Sequence, residues 1–351
     1  MSDSWPLQAQ DNTRRPTIRD VARDAGISKT SVSRYFGEER HRLSEAMQAR
    51  IERSVERLGF RPDRIAASLR GGRTRLIGAL VADIRNPYSV ALIHAAERAC
   101  GDAGYSLMVC NTDNDETLER RHLDVLDGYS VDGLIVNTVG RNTEALEAMR
   151  QRGIPMVLVD RQIEVLDCDM VGLDDEAAVA DAIDHLVARG FERLELIIEP
   201  VAGISSRQAR AEAFEAECRR RSLDATVYEA IIEEAAVEAA DSAALDQRLT
   251  ELLAEPRPTA VLCANGVVTL AVCHALQRLG GFDRLGVLGI DELAWCALAG
   301  PGISTLAQPV DAIGRRAIDT LLARIDGDAT PAAIHRLPAT LNVRGSTAPA
   351  A

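Results

Sequence analysis

Seven short apolar runs recur between residues 76 and 291: LIGALVA (76–82), SLMVCN (106–111), GLIVN (133–137), PMVLVD (155–160), LELIIE (194–199), AVLCAN (260–265) and LGVLGID (285–291). Between them lie Ala-, Glu- and Arg-rich stretches such as ALIHAAERACGDAG and TEALEAMRQRG, most of them closed by a glycine, as a helix C-terminus often is. A strand that is apolar on both faces has to be covered on both faces. Such runs alternating with helices predict parallel sheets flanked by helices, an α/β body.

Open parallel sheets take their ligands beyond the carboxyl ends of the strands, so the polar residues there are the first candidates for a site. Asn86-Pro87-Tyr88 follows the first run, Asp160-Arg161 the fourth, Asn265 the AVLCAN run and Asp291 the last. Acids, amides and guanidiniums grouped near an aromatic ring suit a polyhydroxylated ligand, because they bind hydroxyls while the ring covers an apolar sugar face. Any one of them can equally satisfy the backbone at a strand end; the coincidence of four favours a site.

The segment before the body has a different texture. TIRDVARDAGISKTSVSRY (17–35) reads as two short helices around a Gly-centred turn. Thr17 can cap a first helix carrying Ile18, Val21 and Ala22 at helical spacing, with Asp20 three residues after the cap. Gly26 supplies the positive φ that a tight turn needs. Ser28 caps a second helix from which Lys29, Thr30, Ser31, Ser33 and Arg34 project, with Val32 and Tyr35 facing its partner. A third helix from Ser44 spaces Met47, Ile51, Val55 and Leu58 to close a small core. A surface hairpin shares this pattern, but so does a helix-turn-helix, whose second helix enters the major groove with its N-terminal residues.

Charge separates those readings. The 351 residues carry a net −13, yet residues 1–75 hold sixteen Lys+Arg against ten Asp+Glu, a net +6, and the remainder −19. A basic head on an acidic body lets only the head approach DNA phosphates. Lys29 is the only lysine in the chain. The polar leader, residues 1–15, is expected to be flexible, and with neither an apolar signal segment nor a run of roughly 20 apolar residues the protein is expected in the cytosol. Seven cysteines, at 100, 110, 168, 218, 263, 273 and 296, show no Cys-x-x-Cys spacing and read as buried thiols.

The motifs TIRDVARDAGISKTSVSRY, GFRPDRIAASLRGGRTRLIGALV and DIRNPYS, in this order, resemble the LacI/GalR transcription regulators from Thr17 to about Gly345. Within that family the chain is most similar to 2-ketogluconate-responsive repressors that control sugar-acid catabolism. The resemblance implies an all-α helix-turn-helix head (16–60), a hinge helix and linker (61–75) and a body (76–351) built like a two-lobed periplasmic sugar-binding protein. Lobe 1 comprises 76–173 and 309–334, lobe 2 comprises 174–308 and 335–351, and three crossings fall near 173, 308 and 335. It implies that Lys29, Thr30 and Arg34 read bases, that Thr17, Ser28, Ser31, Ser33 and His41 hold phosphates, and that Arg64, Ala67 and Leu69 lie in the minor groove, with Leu69 as an apolar wedge.

For the body the resemblance places Asp160, Arg210, Asn265 and Asp291 around an effector, with Tyr88 contributed by the other lobe. Asn86, Arg161, Arg207 and Trp295 are further candidates. Arg207 and Arg210 are three apart and share a helical face. Several guanidiniums beside one pocket suit a carboxylate, which a planar fork binds bidentately, and so point to a sugar acid such as 2-ketogluconate; Arg207 as a solvated helix residue is the plain alternative. The chain departs from the family pattern at Asp63, where Asn is usual, at Ala67, often basic, in the longer loop GEERHRLS, and at Asn265-Gly266, where Asn-Asp is usual. No leucine heptads follow the last strand, so a homodimer is expected rather than a tetramer.

The expected function is a repressor, released from a palindromic double-stranded operator by a small sugar-acid effector and needing no cofactor. A regulator answering a neutral sugar or nucleoside is the alternative; a sugar-transport protein would need a secretory signal and would not need the +6 head. An enzyme is disfavoured. The six histidines (41, 94, 122, 185, 274, 335) are scattered, there is no Gly-x-Ser-x-Gly elbow, P-loop or metal-spaced cluster, and Gly286-x-x-Gly289 is only a fragment of a dinucleotide loop.

Overall fold

The computed structural model describes residues 16–60, 73–137, 142–232 and 243–348, which fall into two compact units divided after Thr74. Arg64, Ala67 and Leu69 lie outside the described residues.

The first unit is helical: α1 (Ile18–Ala25), α2 (Lys29–Tyr35) and α3 (Glu45–Leu58), with a 3-10 turn (Glu38–Arg42) where the sequence suggested a loop. Gly26 ends α1 at φ +62, and the Arg50 guanidinium of α3 donates to the carbonyls of Ala25 (2.6 Å) and Gly26 (3.1 Å), pinning the turn from below. Val21, Val32 and Ile51 are fully buried, and Met47, Val55 and Leu58 pack against them. A core this small stabilises the unit by only about 1.5–3 kcal/mol per buried aliphatic side chain, which makes the caps and the Arg50 bridge matter.

The second unit contains two six-stranded sheets. In the first, the order is β11-β5-β4-β3-β1-β2, from β1 (Leu76–Val81), β2 (Ser106–Asn111), β3 (Gly133–Asn137), β4 (Met156–Val159), β5 (Asp169–Leu173) and β11 (Ile334–Leu337). In the second, the order is β12-β10-β9-β8-β6-β7, from β6 (Arg193–Ile198), β7 (Asp224–Glu229), β8 (Thr259–Cys263), β9 (Leu285–Ile290), β10 (Ser304–Ala307) and β12 (Thr340–Asn342). All pairings are parallel except β10 with β12. Each sheet has an apolar cluster on both faces, which is why β1, β3, β4, β6, β8 and β9 were visible as continuous apolar runs.

Helices α4 (Pro87–Asp102), α5 (Glu116–Gly128), α6 (Thr143–Gln151) and α11 (Val310–Ile325) belong to lobe 1, where α11 packs along α4. Helices α7 (Asp175–Ala188), α8 (Ser205–Arg221), α9 (Ala243–Leu253) and α10 (Gly266–Leu279) belong to lobe 2.

The chain passes between the lobes at 174, at 308–309 and at 338–339. The last crossing corrects the expected position near 335, because β11 runs on to Leu337, paired with Leu173 of β5. All seven thiols are unpaired and six are buried, and burial pushes Cys100, Cys168 and Cys273 up to about 12. No described helix is long and apolar enough to cross a membrane, and no group of His, Cys, Asp or Glu among the described residues could hold a metal.

Candidate functional site

In the head, α2 divides its residues cleanly. Val32 and Tyr35 are buried; Ser28, Lys29, Thr30 and Arg34 are exposed, with Ser31 and Ser33 half-buried. Ser28 Oγ accepts from the Ser31 N–H at 3.1 Å, and the two hydroxyls lie 2.9 Å apart, so the cap fixes both at the helix entrance. Lys29 and Thr30 fill the first turn, clear of the core. Arg34 is held toward the 3-10 turn by Glu39, Nε to Oε2 3.0 Å, and exposed His41 lies in that turn. The Thr17 N–H and hydroxyl both donate to Asp20 Oδ2, at 2.9 and 2.7 Å, closing the start of α1. The polar face at the start of α2 is the one a DNA groove requires.

In the body, β1 lies between β3 and β2, and β6 between β8 and β7, so chain order reverses beside both strands and opens a crevice at their carboxyl ends. The candidate residues gather there. Asp160 and Asp291 both take left-handed backbone, φ 64 and 84, which costs about 1 kcal/mol or more in a residue other than glycine and turns each carboxylate off its strand.

Arg210, 4% exposed, sits among them. Its Nε donates to Asp175 Oδ1 at 2.7 Å and its Nη1 to the Ala264 carbonyl at 2.7 Å, while its Nη2 stands 3.8 Å from Asp160 Oδ1. Burial opposes the charge on Arg210, but Asp175, Asp160 and Asp291 outweigh burial and hold its pKa above the ordinary arginine value. Asp291 Oδ2 accepts from the Gly266 N–H at 2.9 Å and its Oδ1 from Gln308 Nε2 at 2.7 Å; burial raises this carboxyl, against the pull of Arg210. A Cβ at position 266 would lie 2.7 Å from Leu293 Cδ1 and 3.4 Å from Asp291 Oδ2, so the departure to Asn265-Gly266 makes room chiefly for Leu293 against the start of α10.

Asn265 caps α10 by accepting from the Val268 N–H at 3.0 Å and donates its amide to Glu199 Oε2 at 2.7 Å. Glu199 Oε1 also pairs with Arg207 Nη2 at 2.7 Å, and Arg207 Nη1 donates to the Pro200 carbonyl at 3.1 Å, so Arg207 is tied into the cleft wall rather than solvated. On the lobe 1 side, Asn86 Oδ1 caps α4 by accepting from the Tyr88 N–H at 3.0 Å. Burial first, then Asp160 and Asp291, raise the Tyr88 phenol. Arg161 Nε lies 3.9 Å from Asp160 Oδ2, and its Nη1 reaches Asn114 Oδ1 at 3.4 Å. Two contacts stitch the lobes: Ser206 Oγ donates to Asp160 Oδ2 at 3.3 Å, and the Gln162 N–H donates to Ser205 Oγ at 2.7 Å.

Four buried polar atoms here have no hydrogen-bond partner: the Tyr88 hydroxyl, Arg161 Nε, Arg210 Nη2 and Gln308 Oε1. Orphans of this kind are costly in a folded chain, and their concentration at one crevice marks a place built to receive a polar ligand.

Trp295 is partly buried. It packs with Leu293 and Phe282 against the lobe 2 core around Val261 and Leu276, the core placement that stood beside ligand cover as one of its two expected roles. Sequence reasoning passed over Asn114, Asp175, Glu199, Ser206 and Gln308. Glu199 carried a usable signal, since it ends the LELIIE run just as Asp160 and Asp291 end theirs.

A helix-turn-helix unit followed in the chain by a two-lobed α/β body with a polar inter-lobe crevice defines a ligand-responsive DNA-binding transcription regulator. Residues 17–63 match the model for bacterial regulatory proteins of the lacI family, and residues 183–347 the periplasmic binding protein-like domain. The chain is 50% identical to the HTH-type transcriptional regulator PtxS of Pseudomonas aeruginosa, covering 95% of this chain and 96% of that one, and 34% identical to the HTH-type transcriptional regulator KdgR of Bacillus subtilis, covering 90% and 93%. The chain belongs to the LacI family.

Its fold is that of the lac repressor dimer bound to operator and the anti-inducer ONPF, with a TM-score of 0.81 at 22% identity over 95% of this chain and 100% of that one. Regulators of this family bind small-molecule effectors and are not enzymes.

Proposed function

We propose that the protein is a homodimeric repressor that a sugar acid of the 2-ketogluconate type releases from a palindromic operator. The observation that carries the sugar-acid reading is the pair of buried guanidinium N–H groups without an acceptor, Arg161 Nε from lobe 1 and Arg210 Nη2 from lobe 2. A carboxylate is the strongest acceptor for such groups, while Asp160, Asp291, Gln308 and Tyr88 are suited to hydroxyls. The sequence resemblance to 2-ketogluconate-responsive repressors points the same way. Asn265, Arg207 and Asn86 support the pocket from behind.

In the head, Lys29, Thr30 and Arg34 read bases, and Thr17, Ser28, Ser31, Ser33 and His41 hold phosphates. Arg64, Ala67 and Leu69 of the hinge at 61–75 meet the minor groove. Effector binding changes the angle between the lobes, which changes the spacing of the two heads.

Calorimetry of the purified chain with 2-ketogluconate, gluconate and neutral hexoses tests the effector, and a mobility assay with the upstream DNA tests release. Tight binding of the acids with loss of the DNA complex is expected. Equal binding of neutral hexoses would transfer the reading to a neutral-sugar regulator.

A further inference from the structure

Arg34 does not stand alone on the outer face of α2. It follows Thr30 by four residues and so lies one turn beyond it on the same face. Its Nε is 3.0 Å from Glu39 Oε2, and the other oxygen of that carboxylate, Oε1, is 2.6 Å from Arg42 Nη1. One acid therefore holds two cations on the side of the head that Arg34 presents. The side chains of Arg34 and Glu39 are 46% and 44% exposed, and a pair so open to water is held weakly unless something else fixes its members. Here the 3-10 turn that carries Glu39 is pinned through its next residue. Arg40 lies over the Tyr35 ring at 4.4 Å, and donates from Nη2 to the Tyr35 hydroxyl at 3.2 Å and from Nε to Gln48 Oε1 at 3.1 Å. Gln48 Nε2 in turn donates to the carbonyls of Arg40, at 3.3 Å, and Leu43, at 3.0 Å. The turn comes from GEERHRLS, the loop in which the chain departs from the family pattern.

We infer that Glu39 is a specificity-determining residue of the DNA-binding head, which ties Arg34 so that guanine, and not phosphate, is the partner that holds it on DNA. This rests on the reading of Arg34 as a base-reading residue and deepens it by naming the base. A free surface arginine gains from any nearby phosphate, because that attraction is electrostatic and independent of sequence. Arg34 already has a carboxylate beside it, so a phosphate offers only an exchange of one oxyanion for another and brings its own charge up to Glu39. Guanine demands no exchange. Its O6 and N7 accept from the two Nη groups in a fork while Nε stays beside Glu39, and both acceptors are neutral, so the carboxylate orients the guanidinium without opposing the contact. Glu39 thereby lowers the affinity for DNA at large and widens the gap between the right base pair and the wrong ones.

Fluorescence anisotropy with the full chain, over a panel of operator variants and a random duplex at several salt concentrations, tests this. Glu39→Gln should bind the random duplex about fivefold tighter or more, and its log–log salt dependence there should steepen by about one as Arg34 gains a phosphate. The same substitution should cut the preference for guanine at the base pair read by Arg34 by about fivefold or more. Glu52→Gln, which removes an exposed acid from α3, should leave that preference where it is. In an Arg34→Gln background, Glu39→Gln should change no base preference, because the two residues act as a pair. An unaltered guanine preference in Glu39→Gln, or an equal loss in Glu52→Gln, overturns the inference and leaves Arg34 a base reader. If Arg34→Gln alone changes the preference at no base pair, the base-reading assignment itself fails, and the role of Glu39 with it.

Discussion

Arg210 Nε lies 2.7 Å from Asp175 Oδ1 inside lobe 2, an ion pair with both side chains under 10% exposed. Asp175 opens α7 immediately after the first crossing, and Arg210 reaches back to it from α8 while its Nη2 points toward Asp160 of lobe 1. One guanidinium thus binds the first crossing to lobe 2 and presents a donor to the cleft. Removing it strands Asp175 and Asp291 without their cation.

Arg210→Ala is therefore expected to destabilise the body by about 3–5 kcal/mol and to abolish the effector's thermal shift. Differential scanning calorimetry with and without 2-ketogluconate checks both. A preserved thermal shift would remove Arg210 from the pocket.

Lys29→Gln tests the head. Lys29 stands exposed in the first turn of α2, beyond the Ser28 cap, so its loss should flatten discrimination at one operator base pair by about 1–3 kcal/mol. Measured over a panel of operator variants, a uniform loss for every sequence would make Lys29 a phosphate contact instead.

Asp169→Asn gives a pH-dependent cost. The Asp169 carboxylate takes a fork from Arg324, 2.7 and 2.9 Å, and the Ala333 N–H at 2.9 Å, which anchors the approach to β11. Burial pushes this carboxyl up, but those donors outweigh it and hold it below 3.8. The folded state then binds the proton more weakly than the unfolded chain. The stabilisation is complete above the unfolded value and is lost as pH falls through the lower folded one. The substitution should cost about 1–3 kcal/mol at pH 7 and progressively less as pH falls below the unfolded value in denaturant titrations. A cost independent of pH would assign it to packing.

Trp295→Ala should lower the unfolding midpoint while leaving the affinity for 2-ketogluconate where it is, because the indole lies against the core around Val261 and Leu276. A marked drop in affinity would return Trp295 to the cleft.

What could be read in advance follows burial. β1, β3, β4, β6, β8 and β9 lie inside their sheets, so water is excluded from both faces and their side chains are mostly apolar, the buried Glu195 of β6 being paired with Arg248. β7, β11 and β12 are edge strands with half their residues toward water, and β10 is buried but carries Ser304 and Thr305, whose hydroxyls are satisfied by partners distant in sequence, so none of the four forms an apolar run. The same logic holds at the site. Asp160, Asn265 and Asp291 end visible strands. Asp175, Ser206 and Gln308 lie at a helix start, within a helix and at a crossing, where nothing local distinguishes them from ordinary polar residues.

The sequence by itself determined the two textures of the chain, the basic head, the outward face of α2 and the strand ends where ligand chemistry collects, because each follows from local spacing or from burial. Only the tertiary structure decided which arginine is occupied. Arg161, Arg207 and Arg210 are alike as residues, and their roles separate only when folding sets Glu199 against the second, Asp175 against the third, and leaves the first with a buried N–H and no acceptor. Charge pairing in a low-dielectric cleft depends on distances of a few ångströms between segments far apart in the chain, and no local pattern encodes those.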